Sequence, residues 1–152
     1  MGAAYFDDLH VGDEFVSPTR TITETDIVVF STMSGDMNPL HTSEAFAKET
    51  IFGQRIAQGL LGISICHGLM TRVGIFDGSA LAFLGIKNWD FKAPIFIGDD
   101  IHAKFTISMK IESKTKKDRG IIHFFVQLLN ENGTITQEGT KIIMMKRNKE
   151  TI

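Results

Sequence analysis

Residues 101–112 alternate between apolar and polar side chains without interruption. Six apolar positions occur in this segment. Strict alternation over this length is typical of a β-strand with one face buried and the other in water. The apolar members are Ile101, Ala103, Phe105, Ile107, Met109 and Ile111. The segment therefore predicts an antiparallel sheet with one face covered by other structure.

The covering element is predicted from the longest uncharged run, the 16 residues between Arg55 and Arg72. A bilayer-spanning helix needs about 20 apolar residues, so this run is too short to cross a membrane. Its segment Ile56–Met70 is apolar nearly all round, as expected of a helix surrounded by protein. It contains three glycines, each weakening a helix by about 1 kcal/mol relative to alanine, which tight packing against a sheet would explain.

The remaining segments complete an α+β pattern. Thr23 and Asp26 predict a helix N-terminus with a capping box, and Ser34-Gly35 predicts its end. Asn132-Gly133 is a strong hairpin turn signal. Strands are predicted at 15–22, 81–91, 121–129 and 134–146, and a short helix at 43–48. We predict an α+β fold in which one long central helix is wrapped by an antiparallel β-sheet.

Composition bounds the domain count and the partners. The 152 residues fit one domain, and with no repeat or linker we assign 1–152 to a single domain. The formal net charge of −2 argues against nucleic-acid binding, which needs a positive surface. The lone cysteine, Cys66, cannot form an internal disulfide, and the N-terminus lacks a secretory pattern. These features favour a cytoplasmic location.

The segment Asp36–His41 is the best candidate for chemistry. It places a carboxylate and an imidazole five residues apart, and Pro39 disfavours helical geometry at Asn38, so we predict a loop over 36–41. The two side chains converge only if this loop folds back. A histidine beside a carboxylate suits general acid–base catalysis. The residues alone leave a structural alternative, in which Asp36 caps the loop and His41 caps the following turn.

Metal and nucleotide sites have little support. Asp36, His41 and His67 could supply metal ligands, but no His-x-x-x-His pattern or cysteine cluster accompanies them. The chain has no Walker loop and no G-x-G-x-x-G. We therefore predict no metal and no nucleotide bound through these motifs.

Two strings, SGDMNPLH followed by FAKETIFGQRIAQGLLGIS, resemble the MaoC-like dehydratases, which include the (R)-specific enoyl-CoA hydratases. The later string NWDFKAPIFIGDDI is similar to the strand-and-turn segment of that family. The resemblance covers roughly residues 5–146 and implies a hot-dog fold. It implies a hydro-lyase that adds water to a trans-2-enoyl-CoA or dehydrates a 3-hydroxyacyl thioester.

The resemblance also implies site residues. Asp36 and His41 match the catalytic pair, and the backbone N–H of Gly59 matches a group that receives the thioester carbonyl. The N-terminus of a helix stabilises developing negative charge, which is consistent with this role for the Gly59 N–H. Asn38 matches the motif residue that shapes the loop, and Ser64 shares a helix face with His67. We assign Gly59, Asn38 and Ser64 to substrate binding.

The chain departs from the family pattern at two positions. Gln58 stands where relatives often have histidine, and His67 where they often have a small hydroxyl residue. His67 either lines the acyl pocket or is a satisfied core histidine, and the residues favour the second interpretation.

The resemblance implies a substrate bound to coenzyme A or acyl carrier protein, no other cofactor, and a homodimer or higher homo-oligomer. It implies no membrane partner. Two alternatives stay open on the same fold: an acyl-CoA thioesterase, and a non-catalytic protein that binds acyl thioesters.

Overall fold

The computed structural model describes residues 1–150. A short 3-10 helix at Phe6–Asp8 precedes the regular elements. The helices are α1 (Glu24–Ser34), α2 (Pro39–Thr42), α3 (Glu44–Lys48) and α4 (Gly59–Thr71). The strands are β1 (Glu14–Val16), β2 (Arg20–Thr21), β3 (Ala80–Phe91), β4 (Asp100–Glu112), β5 (Arg119–Leu129) and β6 (Ile135–Lys146).

The strands form one antiparallel sheet in the order β1-β4-β5-β6-β3, with β2 also pairing with β4. Helix α4 packs on its covered face, where Ile65, Cys66 and Leu69 join a core that includes Phe105 and Phe124 of the sheet. The α+β prediction, with a long central helix wrapped by an antiparallel sheet, is confirmed.

Local signals place several element ends correctly. Asp26 N–H donates to the Thr23 hydroxyl, and the Asp26 carboxylate accepts from Thr23 N–H, which forms the predicted capping box. Gly35 ends α1 in the left-handed region at φ 79°. At Gly62 a Cβ atom would collide with the Gln137 amide, so one of the helix glycines is required by close packing against β6.

Four expectations need correction. The segment 36–41 is not all loop, because Pro39 supplies the first residue of α2, a position where proline is favoured. The long helix begins at Gly59 rather than Ile56. Strand 15–22 is divided into β1 and β2 around Pro18, which has no N–H to donate to a sheet.

The fourth correction concerns the alternating strand. The register of β4 against β5 shifts between Ile107 and Met109. Such a bulge breaks the two-residue period locally. As a result, Met109 and Ile111 are exposed, whereas the four apolar residues before the shift are buried.

Strand β3 lies at an edge of the sheet and carries several exposed apolar side chains. These are Leu81, Phe83, Leu84, Ile86 and Phe91. Strand β6 pairs with only one edge of β3. The pairing is irregular between Lys87 and Asp90 of β3, where Asn88 adopts a positive φ of 52°. Among residues 1–150, no helix is long and apolar enough to cross a membrane.

Candidate active site

The loop between α1 and α2 is built from short-range hydrogen bonds. Asn38 N–H donates to Asp36 Oδ1 at 3.3 Å, and Leu40 N–H donates to Asn38 Oδ1 at 3.0 Å. Asn38 is therefore the N-cap of α2, a role for which its side-chain oxygen is well suited. These bonds turn the chain back on itself, so that His41 on α2 faces Asp36.

The imidazole of His41 is fixed by the backbone. Its Nδ1 lies 2.7 Å from the carbonyl oxygen of Ile56. A carbonyl oxygen accepts only, so Nδ1 carries the proton and donates. In the neutral ring this leaves the lone pair on Nε2, which lies 3.9 Å from Asp36 Oδ2. The side chain of His41 is 10% exposed and that of Asp36 44% exposed.

The separation of Nε2 and the carboxylate is informative. At 3.9 Å the two atoms are too far apart for a direct hydrogen bond, which needs about 2.7–3.2 Å. At this separation a single atom can lie within hydrogen-bond distance of both, and His41 Nε2 and the Asp36 carboxylate each present an acceptor to it.

His41 and Gly59 line the same cavity, of about 370 Å³. Gly59 is the first residue of α4, and the N–H groups of a helix's first turn have no acceptor within the helix. A Cβ atom at Gly59 would lie 2.8 Å from the Phe91 ring, so only glycine leaves this N–H accessible from the cavity without moving the ring. The cavity thus brings the imidazole of His41 together with the N–H at the start of α4, while Asp36 lies on the other side of the imidazole, outside the residues that line the cavity.

Gln58 explains how α4 is positioned. It is buried, and its Nε2 donates to Ile27 O at 3.2 Å and to Ser31 Oγ at 2.8 Å, which ties the start of α4 to α1. Its Oε1 has no hydrogen-bond partner among the described residues. The Gln58 side chain therefore acts as a bridge between the two helices.

Sequence reasoning missed Gln137 and Phe91. Gln137 Nε2 donates to Gly59 O at 3.1 Å, and its Oε1 accepts from Trp89 Nε1 at 3.1 Å. Both Gln137 and Phe91 line the cavity. Phe91 falls within the string NWDFKAPIFIGDDI, which was a usable signal, but nothing in the sequence marks Gln137.

The other candidate residues lie apart from this cavity. Ser64 is exposed, and its hydroxyl donates to Leu60 O at 2.7 Å. It lines a cleft between α1 and α4 and the rim of a cavity next to Lys141 and His67. Burial, and then the charge of Lys141, lower the pKa of His67. Within residues 1–150, no group of three or more potential metal ligands is assembled.

The family model described as MaoC like domain matches residues 9–123. Protein MaoC of Klebsiella aerogenes is 37% identical over 70% of this chain, which spans only 31% of that protein. The (R)-specific enoyl-CoA hydratase of Rhodospirillum rubrum is 34% identical, over 72% of this chain and 74% of its own length. The 3-hydroxybutyryl-CoA dehydratase of Methylorubrum extorquens is 34% identical, over 74% of this chain and 69% of its own length.

Solved structures agree on the fold. The monoamine oxidase regulatory protein from Archaeoglobus fulgius superposes with a TM-score of 0.89 and 33% identity, covering 97% of both chains. A protein from Mycobacterium tuberculosis described as a double hotdog fold gives a TM-score of 0.87, covering 98% of this chain and 46% of that one. At 16% identity the second likeness shows the fold alone, which is the hot-dog fold.

Proposed function

The chain belongs to the MaoC-like family, and from this premise we propose that it is a hydro-lyase that adds water to a trans-2-enoyl thioester through Asp36 and His41. Its relatives named as an enoyl-CoA hydratase and a 3-hydroxybutyryl-CoA dehydratase support hydration or dehydration of a CoA thioester. The observation that carries the residue assignment is the 3.9 Å gap between His41 Nε2 and Asp36 Oδ2 beside the open N–H of Gly59.

In the proposed reaction the thioester carbonyl accepts a hydrogen bond from Gly59 N–H. Water held between Asp36 and His41 bonds to the β-carbon while one member of the pair takes its proton. Negative charge develops on the carbonyl oxygen, where the positive end of the α4 dipole stabilises it. The protonated member then gives this proton to the α-carbon, so that water has been added across the double bond and the pair has returned to its starting state. Dehydration is the same sequence reversed.

Asn38 and Ser64 have different standing in this proposal. Asn38 acts by holding α2, and with it His41, in place through its bond to Leu40 N–H. Ser64 is assigned to the far end of the acyl site, because it lies at the rim of the cavity near Lys141. The reaction needs no metal or other cofactor, since water and two side chains supply every group that reacts.

The test is the ultraviolet absorbance of the conjugated enoyl thioester in crotonyl-CoA, followed together with free thiol. We expect the purified protein to remove the absorbance without releasing thiol. Thiol release without prior hydration would instead indicate a thioesterase. Binding of crotonyl-CoA with neither change would indicate a non-catalytic acyl-thioester protein. The same assay with crotonyl attached to acyl carrier protein shows which carrier is preferred.

We also propose that the whole chain is a single domain and that it works in the cytoplasm, where its lone thiol would stay reduced.

We further propose that the protein forms a homodimer through β3. This 12-residue strand is an unpaired edge with exposed apolar side chains, whereas β1 at the opposite edge has only 3 residues. Long apolar edges pair with other strands unless they are protected. Antiparallel pairing of β3 with its copy would continue the sheet, pair its free backbone groups and bring these side chains into contact with those of the partner strand.

A charged substitution on β3 tests this dimer. Leu84 is 46% exposed and lines none of the cavities described above. We expect the wild type to sediment at about twice its 16.9 kDa, and Leu84→Lys to shift it toward monomer because a buried lysine would be unpaired. Val11→Lys, at a 63% exposed residue before β1, is the matched control. A monomeric wild type, or equal dissociation in both variants, would contradict the proposal.

A further inference from the structure

Lys141 on β6 is a charged residue in an unusual place. Its exposed fraction is 1%, and it lies beneath a cavity of about 300 Å³ between α4 and β3. A buried ammonium group is strongly disfavoured unless it has good hydrogen-bond partners or an opposite charge. The hydrogen-bond partners of Lys141 therefore indicate whether the residue has a structural role or could bind a ligand.

The surroundings of Lys141 do not satisfy it. Lys141 Nζ contacts Ile63 O and His67 Nδ1, both at 3.4 Å. Both distances exceed the usual range of about 2.7–3.2 Å, so both bonds are weak. The Trp89 ring centroid lies 5.3 Å away and adds a cation–π contact. Within residues 1–150, no carboxylate contributes to its environment, so an ammonium group with three donors has no strong acceptor.

The position of Lys141 relates it to the proposed reaction site. On β6, Gln137 donates to Gly59 O, and Lys141 donates to Ile63 O one helical turn further along α4. Trp89 joins them, since its Nε1 donates to Gln137 and its ring faces Lys141. The strip between α4 and β3 thus runs from the Gly59 amide to Lys141. By helix rise, Ile63 and His67 are about 6 and 12 Å beyond Gly59.

The cavity around Lys141 is lined largely by apolar side chains. Ile63, Phe83 and Ile86 line the cavity around Lys141, and the His67 ring packs 4.8 Å from the Phe83 ring centroid. The cavities at Gly59 and at Lys141 are separate, with Gln137 and Trp89 between them, so an acyl chain that passes these two side chains would meet apolar walls and then a cation with an imidazole. The side chains on β3 that close the outer wall are among those that the proposed dimer would bring into contact with the partner strand.

We infer that Lys141, assisted by His67, binds an anionic group, a carboxylate, at the distal end of the acyl chain, so that the enzyme prefers carboxylated acyl thioesters. This inference rests on the proposed function and names the substrate class of the same site. A carboxylate would supply the strong acceptor that Lys141 lacks. A saturated hydrocarbon end would leave the ammonium group unpaired in the presence of bound substrate.

Charge at this site is set by burial. Burial lowers the pKa of Lys141 to about 8, so the group is largely protonated at pH 7 and neutral well above pH 8. The titratable side chains facing it are Cys66 and His67 of α4, while β3 presents Trp89. Burial raises the pKa of Cys66 to about 11, so its thiol is no competing anion at pH 7. The preference for a carboxylate is expected to weaken as pH rises above 8.

The test measures binding without turnover. Saturated CoA thioesters of six, eight and ten carbons, each with a methyl or a carboxylate terminus, are titrated against the protein at pH 7. The fluorescence of Trp89, the single tryptophan, reports binding close to Lys141, and calorimetry confirms it. For at least one chain length we expect the carboxylated probe to bind at least about 10-fold more tightly than the methyl-terminated probe of the same length. This is the gain in affinity that a hydrogen bond to a charged group typically provides.

Lys141→Met keeps the volume and removes the charge. We expect it to abolish the advantage of the carboxylated probe and to tighten binding of the methyl-terminated one. Lys104→Met, on the partly exposed surface of β4, is the matched control and should behave as wild type. Thermal unfolding checks folding: Lys141→Met should be at least as stable as wild type at pH 7, since it removes a buried charge.

Equal or weaker binding of every carboxylated probe by the wild type overturns the inference, as does an unchanged preference in Lys141→Met. Hydration of crotonyl-CoA is measured separately on the same protein. Hydration of crotonyl-CoA with no preference for carboxylated probes would contradict this inference but not the proposed function. A preference for carboxylated probes without hydration of crotonyl-CoA would contradict the proposed function and still support the anion-binding site at Lys141.

Discussion

We expect His41→Ala to lower kcat/KM for crotonyl-CoA hydration by about 10²–10⁴-fold, the range that general acid–base groups contribute. The variant loses the Nε2 lone pair that faces the water site and the bond from Nδ1–H to Ile56 O. Asp36→Asn removes the carboxylate charge with little change in shape, and we expect a loss in the same range. The measurement is initial rate against crotonyl-CoA concentration, with circular dichroism to confirm folding.

The chain offers a matched control for this pair. His10 and Asp13 form a second histidine–carboxylate pair, with Nδ1 3.8 Å from the carboxylate, on the exposed surface. His10→Ala should leave kcat/KM unchanged, because this pair lies beside no open amide of α4. A comparable loss in His10→Ala, or full activity in a folded His41→Ala, would contradict the assignment.

Gly59→Ala is expected to lower kcat/KM by about 10²-fold, comparable to the loss of one oxyanion donor. The added methyl group would lie 2.8 Å from the Phe91 ring in the cavity that both residues line, so the methyl group and the displaced ring narrow the approach of the carbonyl to the amide. Phe91 is exposed, so displacement of its ring should leave the protein folded. Initial rates and thermal unfolding separate the two effects.

Gly68→Ala is the control on the same helix. Nothing lies within 4 Å of a Cβ atom at Gly68, so the substitution adds helix propensity without a collision. We expect unchanged kcat/KM and a stability gain of up to about 1 kcal/mol. If Gly59→Ala kept wild-type activity with Phe91 displaced, the carbonyl would have to bind elsewhere.

Sequence alone predicted the elements whose signals are local. The Thr23–Asp26 capping box, the Gly35 helix end and the alternation that marks β4 each depend on residues close together in the chain. The bulge after Ile107 was not predictable, because it arises from pairing with β5 rather than from the residues of β4. The same limit explains why Met109 and Ile111 were assigned to the wrong face.

The candidate site shows the same division. Asp36, Asn38 and His41 occupy one short segment, so their spacing and the turn chemistry of Asn38-Pro39 point to convergence, and the structure brings Asp36 and His41 together. Gln137 and Lys141 each contact α4 across 78 residues of sequence. No periodicity or motif encodes contacts of that range. The interpretation of His67 as a satisfied core residue also changes, since it lines a cavity beside Lys141, which has no carboxylate partner among the described residues.

The most direct test of water addition is product analysis after incubation of the wild-type protein with crotonyl-CoA in water enriched in oxygen-18. We expect 3-hydroxybutyryl-CoA with one labelled oxygen on its acyl chain and the thioester bond intact. Labelled crotonate with free coenzyme A, or crotonyl-CoA recovered unchanged, would contradict it.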